Sequence, residues 1–500
     1  MKNVLEYLEA TAGRLPDKMA VTDGEESVTF AELKSVSSRI GRVLSDYISP
    51  SQPVAVMMKK STKTLQIFMG IVYAGGFYCL LDPDFPDERH RSQLSTLQTG
   101  LMITEPDSLD KIERLQFSGN VITTEELFKK IESADSLPVK KDIAEGTPLY
   151  CNFTSGSTGV PKGVLVGHSS VISFIDSFTS LFNITEEDVI GNQAPFDFDV
   201  SVKDIYSSLK TGATLVIIPT AFFRFPNNVM DMLEKYEVTT LTWAVSALVL
   251  LNRLHEFMYK VPPKIDKILF SGEEMPSKHL KDWMNEYPDA EFVNLYGPTE
   301  ITCNCTYYVV DREFGKHEVI PMGKAFPNER VFLLDENNQE VTAPGVEGEV
   351  CVSGTALGLG YLGDPERTAA AFTQNPLNGR WLEPIYRTGD LATYDQDGNL
   401  VYSSRKDFQI KHMGQRIELG DIEAAAQATD GVERACCTYD QRRKRIRLYY
   451  VGTIDEKGLA DALAATLPPY MEPNHVRRVD QMPLTKNGKI DRKALDEMGR

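Results

Sequence analysis

Between about Glu145 and Glu300, short β-rich runs alternate with longer stretches whose apolar positions recur at helical spacing. Thr239 to Val245, Lys267 to Ser271 and Glu291 to Tyr296 read as strands, and Ser277 to Tyr287 reads as a helix. This alternation predicts an α/β lobe of parallel sheets covered by helices, a design that binds ligands in loops at strand ends. The longest apolar run, Ile67 to Leu81, is too short to span a bilayer and ends at Asp82, so it is expected to be a buried helix leading into a strand. Near Ser403 the pattern changes to a compact α+β unit. The expected division is therefore a large N-terminal lobe, 1–403, and a small C-terminal domain, 404–500.

Length and composition agree with more than one core: 500 residues, 42% hydrophobic and 25% charged, describe a globular protein rather than a disordered one. The net charge of -18 argues against nucleic acid or an anionic membrane as the main partner. The basic run Arg442, Arg443, Lys444, Arg445 and Arg447 fits a solvated strand-turn edge. Seven cysteines without paired CxxC motifs suggest reduced thiols rather than a zinc site. Cys303 and Cys305, if in a strand, share a face, whereas adjacent Cys436 and Cys437 point apart. Glu6 and Glu9 interrupt any secretory apolar segment, so a cytoplasmic protein without membrane insertion is expected.

The chemistry concentrates in a few segments. Tyr150 to Gly163 is a strand followed by a loop rich in glycine and hydroxyl groups: Thr154, Ser155, Gly156, Ser157 and Thr158 offer donors to phosphate, and Lys162 adds charge. The spacing is not that of a Walker A loop. In Asn294-Leu295-Tyr296-Gly297-Pro298-Thr299-Glu300, a strand runs into a turn that delivers an aromatic ring, a hydroxyl and a carboxylate to one place. Such a set can stack on a base, bond a phosphate and offer Mg²⁺ a hard oxygen; an ordinary capped turn has the same composition. Lys489 follows the tight-turn pair Asn487-Gly488, which fixes where its side chain projects. Asp199 ends an apolar run before a helical pattern, where it can serve as a helix cap or as a buried partner for a cation.

Taken in order, Val28 to Leu33, Ala74 to Tyr78, Thr154 to Gly163, Phe198 to Ser201, Asn294 to Glu300, Gly358 to Tyr361, Tyr386 to Leu391, Arg405 to Glu418 and Asn487 to Asp491 resemble the motifs of the adenylate-forming superfamily. The likeness covers nearly the whole chain and is greatest to the amino-acid adenylation domains of nonribosomal peptide synthetases. Asn192 to Asp199 and the free-standing length look most like D-alanine:carrier-protein ligases. The resemblance implies an adenylate-forming fold whose small C-terminal domain moves about a hinge at Asp407. One position presents Lys489 to the reacting groups; the other brings Lys411 to Glu418, with its Gly414 turn, against the tunnel that admits a thiol.

It also implies ATP and Mg²⁺ as cofactors, with Glu300 as the metal ligand and Lys489, Thr299 and Glu300 as the catalytic set. Asp390 is assigned to the ribose hydroxyls, Arg405 to ribose and phosphate, and Gly272, Glu273 and Glu274 to the adenine edge. The implied amino-acid pocket comprises Asp199, Val200, Lys203, Ser246, Leu269, Ser271, Leu295, Cys303 and Asn304, with Lys489. Leu269, Ser271 and Leu295 leave a small cavity with one hydroxyl, which ranks serine first, then alanine, D-alanine or cysteine. Lys203 has two readings, turned away from the pocket or meeting an acidic substrate. D-alanine ligases usually carry cysteine where this chain has Ser271. The expected activity is aminoacyl-AMP formation from a small amino acid, followed by transfer to the phosphopantetheine thiol of a carrier protein. No carrier module is recognisable in the chain, so the acceptor is expected in trans. The alternative is an acyl- or aryl-CoA ligase, which has no need of Asp199.

Overall fold

The computed structural model describes residues 1–136, 144–155, 161–316, 318–484 and 490–499. Two mainly parallel sheets form the frame of the first lobe. A nine-stranded sheet runs from Lys324–Ala325 through Thr306–Val309, Glu291–Tyr296, Lys267–Ser271, Thr240–Ala244, Val189–Asn192, Thr214–Ile217 and Met19–Thr22 to Ser27–Thr29. A seven-stranded sheet contains Phe77–Leu80, Pro53–Met57, Leu101–Thr104 and Asn120–Thr123, and it includes the antiparallel pair Pro148–Thr154 and Lys162–Gly167. The inner strands of both sheets are buried on both faces and read as apolar runs, such as the fully buried Phe77–Leu80.

The expected strands and helix appear at Thr240–Ala244, Lys267–Ser271, Glu291–Tyr296 and Ser277–Glu286. The apolar run after Ile67 folds as the tail of helix Thr62–Tyr73 followed by strand Phe77–Leu80. Helix Phe30–Leu44 begins with a capping box: Thr29 Oγ1 accepts from the Glu32 N–H at 3.2 Å while Glu32 accepts from the Thr29 N–H at 2.8 Å.

A six-stranded antiparallel sheet, with Glu329–Leu334, Gly348–Gly354, Pro384–Tyr394 and Leu400–Arg405 among its strands, completes this lobe. Its last pair sets Asp390 opposite Arg405. Beyond it, Gln409–His412 and Gln415–Glu418 form a separate hairpin. Helices Leu419–Gln427, Glu456–Thr466 and Arg492–Met498 then pack on a three-stranded sheet of Val432–Asp440, Arg445–Gly452 and His475–Arg478. Cys437 points into one core of this unit with Leu448 and Leu459, and adjacent Cys436 points into another with Met482 and Leu495. Strand alternation requires this.

Cys303 and Cys305 depart from the expectation of a shared strand face. They lie in the turn between the short 3₁₀ helix Thr299–Ile301 and strand Thr306–Val309, with Cys303 at φ +82°. The seven cysteines are free and buried.

Candidate active site

The C-terminal ends of the parallel strands and the Gln409–Glu418 hairpin converge on one region. At its centre is Glu300, fully buried in the 3₁₀ turn that follows strand Glu291–Tyr296. Its Oε1 accepts from Lys162 Nζ at 3.1 Å and from the Tyr361 hydroxyl at 2.8 Å, while Oε2 accepts from Arg416 Nη1 at 2.7 Å. Burial alone would raise this carboxyl. The Arg416 and Lys162 charges outweigh it and hold Glu300 well below the usual carboxylate range. Lys162, at the start of the return strand, is itself lowered by burial and by Arg416. Thr154, at the end of the opposing strand, has a buried hydroxyl without a hydrogen-bond partner, a group suited to an incoming phosphate oxygen.

Arg416 reaches Glu300 because its hairpin is tied to the large lobe at several points. Ser155 Oγ donates to the Arg416 carbonyl at 2.8 Å and accepts from the Glu418 N–H at 3.1 Å. Glu273 Oε1 accepts from the Gly414 N–H at 2.6 Å. At the hairpin tip, Gly414 has φ +78°, and its backbone faces Gly272. Ser246, assigned to the amino-acid pocket, lies beside this tip rather than with the pocket's polar groups. Lys411 Nζ sits 5.1 Å from the centre of the Tyr296 ring.

A cavity of about 110 Å³ opens beside this hairpin, lined by Gly272, Glu273, Asn294, Tyr296, Asp390 and Arg405 among others. Of the residues assigned from sequence to the nucleotide, the structure brings Gly272, Glu273, Asn294, Tyr296, Asp390 and Arg405 to this cavity, with two refinements. Asn294 Nδ2 donates to the Pro321 carbonyl at 2.8 Å, which anchors a neighbouring loop. Asp390 accepts from the Tyr296 hydroxyl at 2.5 Å and from Arg405 Nη1 at 2.6 Å, and Arg405 also grips both oxygens of Asp407 at 2.7 and 2.8 Å. Burial works to raise Asp407, but Arg405 leaves it lowered overall. The residue assigned to the hinge is therefore clamped to the one assigned to ribose.

A second, smaller cavity adjoins Glu300 and is lined by Asp199, Val200, Ser271, Thr299, Cys303 and Asn304, among others. Asp199 occupies the N-cap position of helix Val200–Thr211 but makes no side-chain cap bond. Burial raises its carboxyl, against the lowering influence of Thr299 and Lys203. Leu269 and Leu295 are buried beneath these groups. Lys203 is fully buried and turned toward the pocket side, with Nζ 3.3 Å from Ser271 Oγ and 3.2 Å from Asn304 Oδ1.

Gly156, Ser157, Thr158 and Lys489 lie outside the described residues. Among the described residues, no group of three or more His, Cys, Asp or Glu side chains could hold a metal ion, so Glu300 stands as a single carboxylate. No helix there is long and apolar enough to cross a membrane.

Sequence reasoning missed several participants. Tyr361 and Arg416 were visible only as members of longer motifs, because a Tyr-x₂₄-Tyr-Arg or Arg-x-Glu spacing carries no chemistry by itself. Lys60 was not anticipated at all. It donates to the Gln193 carbonyl at 2.7 Å and to Asn192 Oδ1 at 3.1 Å, holding the loop that leads to Asp199. Asp204 is buried beneath the pocket and accepts from Asn192 Nδ2 at 2.8 Å and from the Thr242 hydroxyl. Burial pushes its carboxyl up to about 6, against these hydrogen bonds. A carboxyl raised in this way adds stability below its unfolded pKa of about 4, and that contribution is lost as pH rises through about 6. In Asp204→Asn, the fall in thermal stability between those pH values should flatten, as followed by unfolding curves at stepped pH.

These features define an enzyme site that combines a buried acid, a lysine from a neighbouring strand and a cationic hairpin at the ends of parallel strands. A family model of AMP-binding enzymes matches residues 8–362, and the model of the AMP-binding enzyme C-terminal domain matches residues 421–489; the chain belongs to the AMP-binding enzymes.

Over its full length it is 33% identical to bacitracin synthase 1 of Bacillus licheniformis, of which it spans only 9%. It is 31% identical to zwittermicin A synthase ZmaJ of Bacillus cereus, over 99% of this chain and 95% of that protein. The Vibrio cholerae adenylation domain AlmE, solved in complex with glycyl-adenosine-5'-phosphate, shares the fold with a TM-score of 0.84 at 21% identity, covering 100% of this chain and 98% of that one.

Proposed function

We propose that this protein activates an amino acid as its AMP ester, with release of pyrophosphate, and passes the aminoacyl group to a phosphopantetheine thiol on a carrier protein in trans. The observation that carries the amino-acid reading is Asp199, a buried carboxylate on the wall of the smaller cavity with no cation in ion-pair contact among the described residues. An α-ammonium group supplies that cation. An acyl- or aryl-CoA ligase would leave Asp199 without purpose. The glycyl-adenylate bound to AlmE supports the same reading by kinship of fold.

In the first step, an oxygen of the substrate carboxylate attacks the α-phosphorus of ATP. A new O–P bond forms, the bond to the β-phosphate oxygen breaks, and pyrophosphate leaves. Two anions approach each other, so charge on the phosphoryl oxygens has to be neutralised. In this reading Thr154, Ser155 and Lys162 meet phosphate, Tyr296 and Gly272 flank adenine, Asp390 accepts from ribose and Thr299 bonds the α-phosphate. Lys489 is assigned the developing charge.

Glu300 would hold Mg²⁺, which would supply Lewis-acid charge there. Withdrawal of Arg416 would free the carboxylate for that role, since Lys162, Tyr361 and Arg416 engage its two oxygens while the hairpin is docked. In the second step, a thiolate attacks the acyl carbon, AMP leaves, and a thioester forms. The docked hairpin fits this step, with Asp407 as the hinge between the two arrangements and the parts divided near 403.

Leu269, Leu295 and Cys303 favour a short side chain. By size and hydroxyl count alone, serine precedes alanine, D-alanine and cysteine.

ATP–pyrophosphate exchange tests the reading. Exchange should depend on an amino acid, and Asp199→Ala should lower its kcat/KM by about a hundredfold or more, the cost of leaving a charge unpaired in a desolvated site. Exchange driven equally well by the corresponding acid without an α-amino group would overturn it.

A further inference from the structure

Lys203 lies one helical turn after Asp199, and the i, i+4 spacing places both on one face of helix Val200–Thr211. Asp199 stands at the wall of the cavity and Lys203 lies deeper, fully buried behind Ser271 and Asn304, two of the residues that line it. Its ammonium therefore lies directly behind the part of the pocket wall that Ser271 and Asn304 form.

That ammonium is poorly matched. Its two hydrogen-bond partners are neutral, and the contacts of 3.3 and 3.2 Å are long; charge-assisted bonds are typically about 2.7–2.9 Å. Asn304 Oδ1 is shared, because it also accepts from the Cys303 thiol at 3.2 Å. Asp204, the next residue, places one oxygen on Asn192 and the other on Thr242, and no carboxylate of the described residues comes within ion-pair distance of Lys203. A buried ammonium in this condition is costly unless something anionic completes it.

The other cations near the site are differently placed. Arg416 is paired with Glu300, Arg405 with Asp390 and Asp407, and Lys411 lies over Tyr296. They all belong to the segment that follows the six-stranded sheet or to its last strand. Lys203 belongs to the pocket itself and stays with it in either arrangement of the C-terminal unit.

The charge balance changes when substrate enters. Its α-ammonium takes Asp199, removing from Lys203 the carboxylate on its own helical face. Its α-carboxylate goes to the phosphorus. A neutral side chain would then leave Lys203 with no carboxylate in ion-pair contact and only the buried Asp204 nearby.

We infer that the site selects an amino acid with a short anionic side chain, of aspartate size, whose carboxylate accepts from Lys203 between Ser271 and Asn304. Leu269, Leu295 and Cys303 set the length, and Lys203 sets the charge. The inference rests on the amino-acid-activation reading above and replaces serine as its leading substrate.

Aspartate and asparagine are nearly the same size and differ in charge, so they separate the two contributions. Pyrophosphate exchange with the full chain should be measured with L-aspartate, L-asparagine, L-glutamate, L-serine, L-alanine, D-alanine and L-cysteine. Aspartate should exceed asparagine and serine in kcat/KM by about a hundredfold, the discrimination expected when a buried group is left unpaired. Lys203→Met should raise KM for aspartate by a comparable factor, and the aspartate-over-asparagine ratio should collapse, while KM for ATP stays near its original value.

Serine or another uncharged residue exchanging better than aspartate in the unaltered protein would overturn the inference and leave amino-acid activation standing. A preserved aspartate preference in folded Lys203→Met would overturn it too. Exchange with none of the amino acids would instead remove the activation reading on which it rests. The panel on the unaltered chain decides the matter even if the variant fails to fold.

Discussion

Lys489→Ala should abolish amino-acid-dependent pyrophosphate exchange, with a loss of about 10²- to 10³-fold or more, the scale seen when one preorganised charge is removed from a transition state. Transfer of the aminoacyl group from preformed adenylate to a carrier thiol should largely survive. The reason is electrostatic: adenylation brings a carboxylate against a triphosphate, whereas thioester formation releases AMP from an ester already made. Single-turnover measurements of the two steps give the comparison directly. Equal loss in both would sink the division of labour between the C-terminal lysine and the hairpin.

The opposite asymmetry is expected for Gly414→Val. Gly414 sits at the hairpin tip with φ +78°, and a Cβ there would come within 3.2 Å of Ala244 Cβ and 3.3 Å of Ser246 Oγ. A β-branched residue forced into that backbone region costs about 1–3 kcal/mol, and the crowding adds to it. Since the same turn gives its N–H to Glu273, hairpin docking is what suffers. Transfer should fall by about ten- to a hundredfold, with each tenfold corresponding to about 1.4 kcal/mol, while exchange is retained. In the proposed mechanism adenylation proceeds with the hairpin undocked, so a weakened dock does not impede it. Loss of exchange with intact transfer would contradict this assignment.

The pairing of Arg416 with Glu300 gives the two experiments a common basis. While the hairpin is docked, Lys162, Tyr361 and Arg416 occupy three of the acceptor positions of Glu300, so docking competes with the proposed use of this carboxylate as a metal ligand; Ser155 strengthens the dock because its hydroxyl is bonded twice to the hairpin strand.

Much of the architecture could be read along the chain. The period of the apolar residues located strands 240–244, 267–271 and 291–296 and the intervening helix within a residue or two, because buried parallel strands must be apolar on both faces. Motif order grouped Glu300, Asp390 and Asp199; the fold brings Asp390 and Asp199 to the cavity walls and buries Glu300 next to the lining residue Thr299, since each lies at a strand end or turn where local sequence dictates the backbone. The antiparallel sheet spanning 329–405 was not anticipated, because its pairings join segments distant in sequence. The cysteines at 303 and 305 misled for a related reason: a spacing of two means a shared face only if the backbone is extended, and here it turns.

The sequence alone determined the kind of chemistry available: which side chains can meet phosphate, a base or an ammonium, and where strands deliver them. Only the tertiary structure decided how charges are matched. Whether Lys203 faces solvent or is buried against Ser271 and Asn304, and whether Glu300 is free or held by Arg416, depend on contacts between residues scores or hundreds of positions apart. Electrostatic energy follows distance and burial in space, and neither is a property of neighbouring positions along the chain.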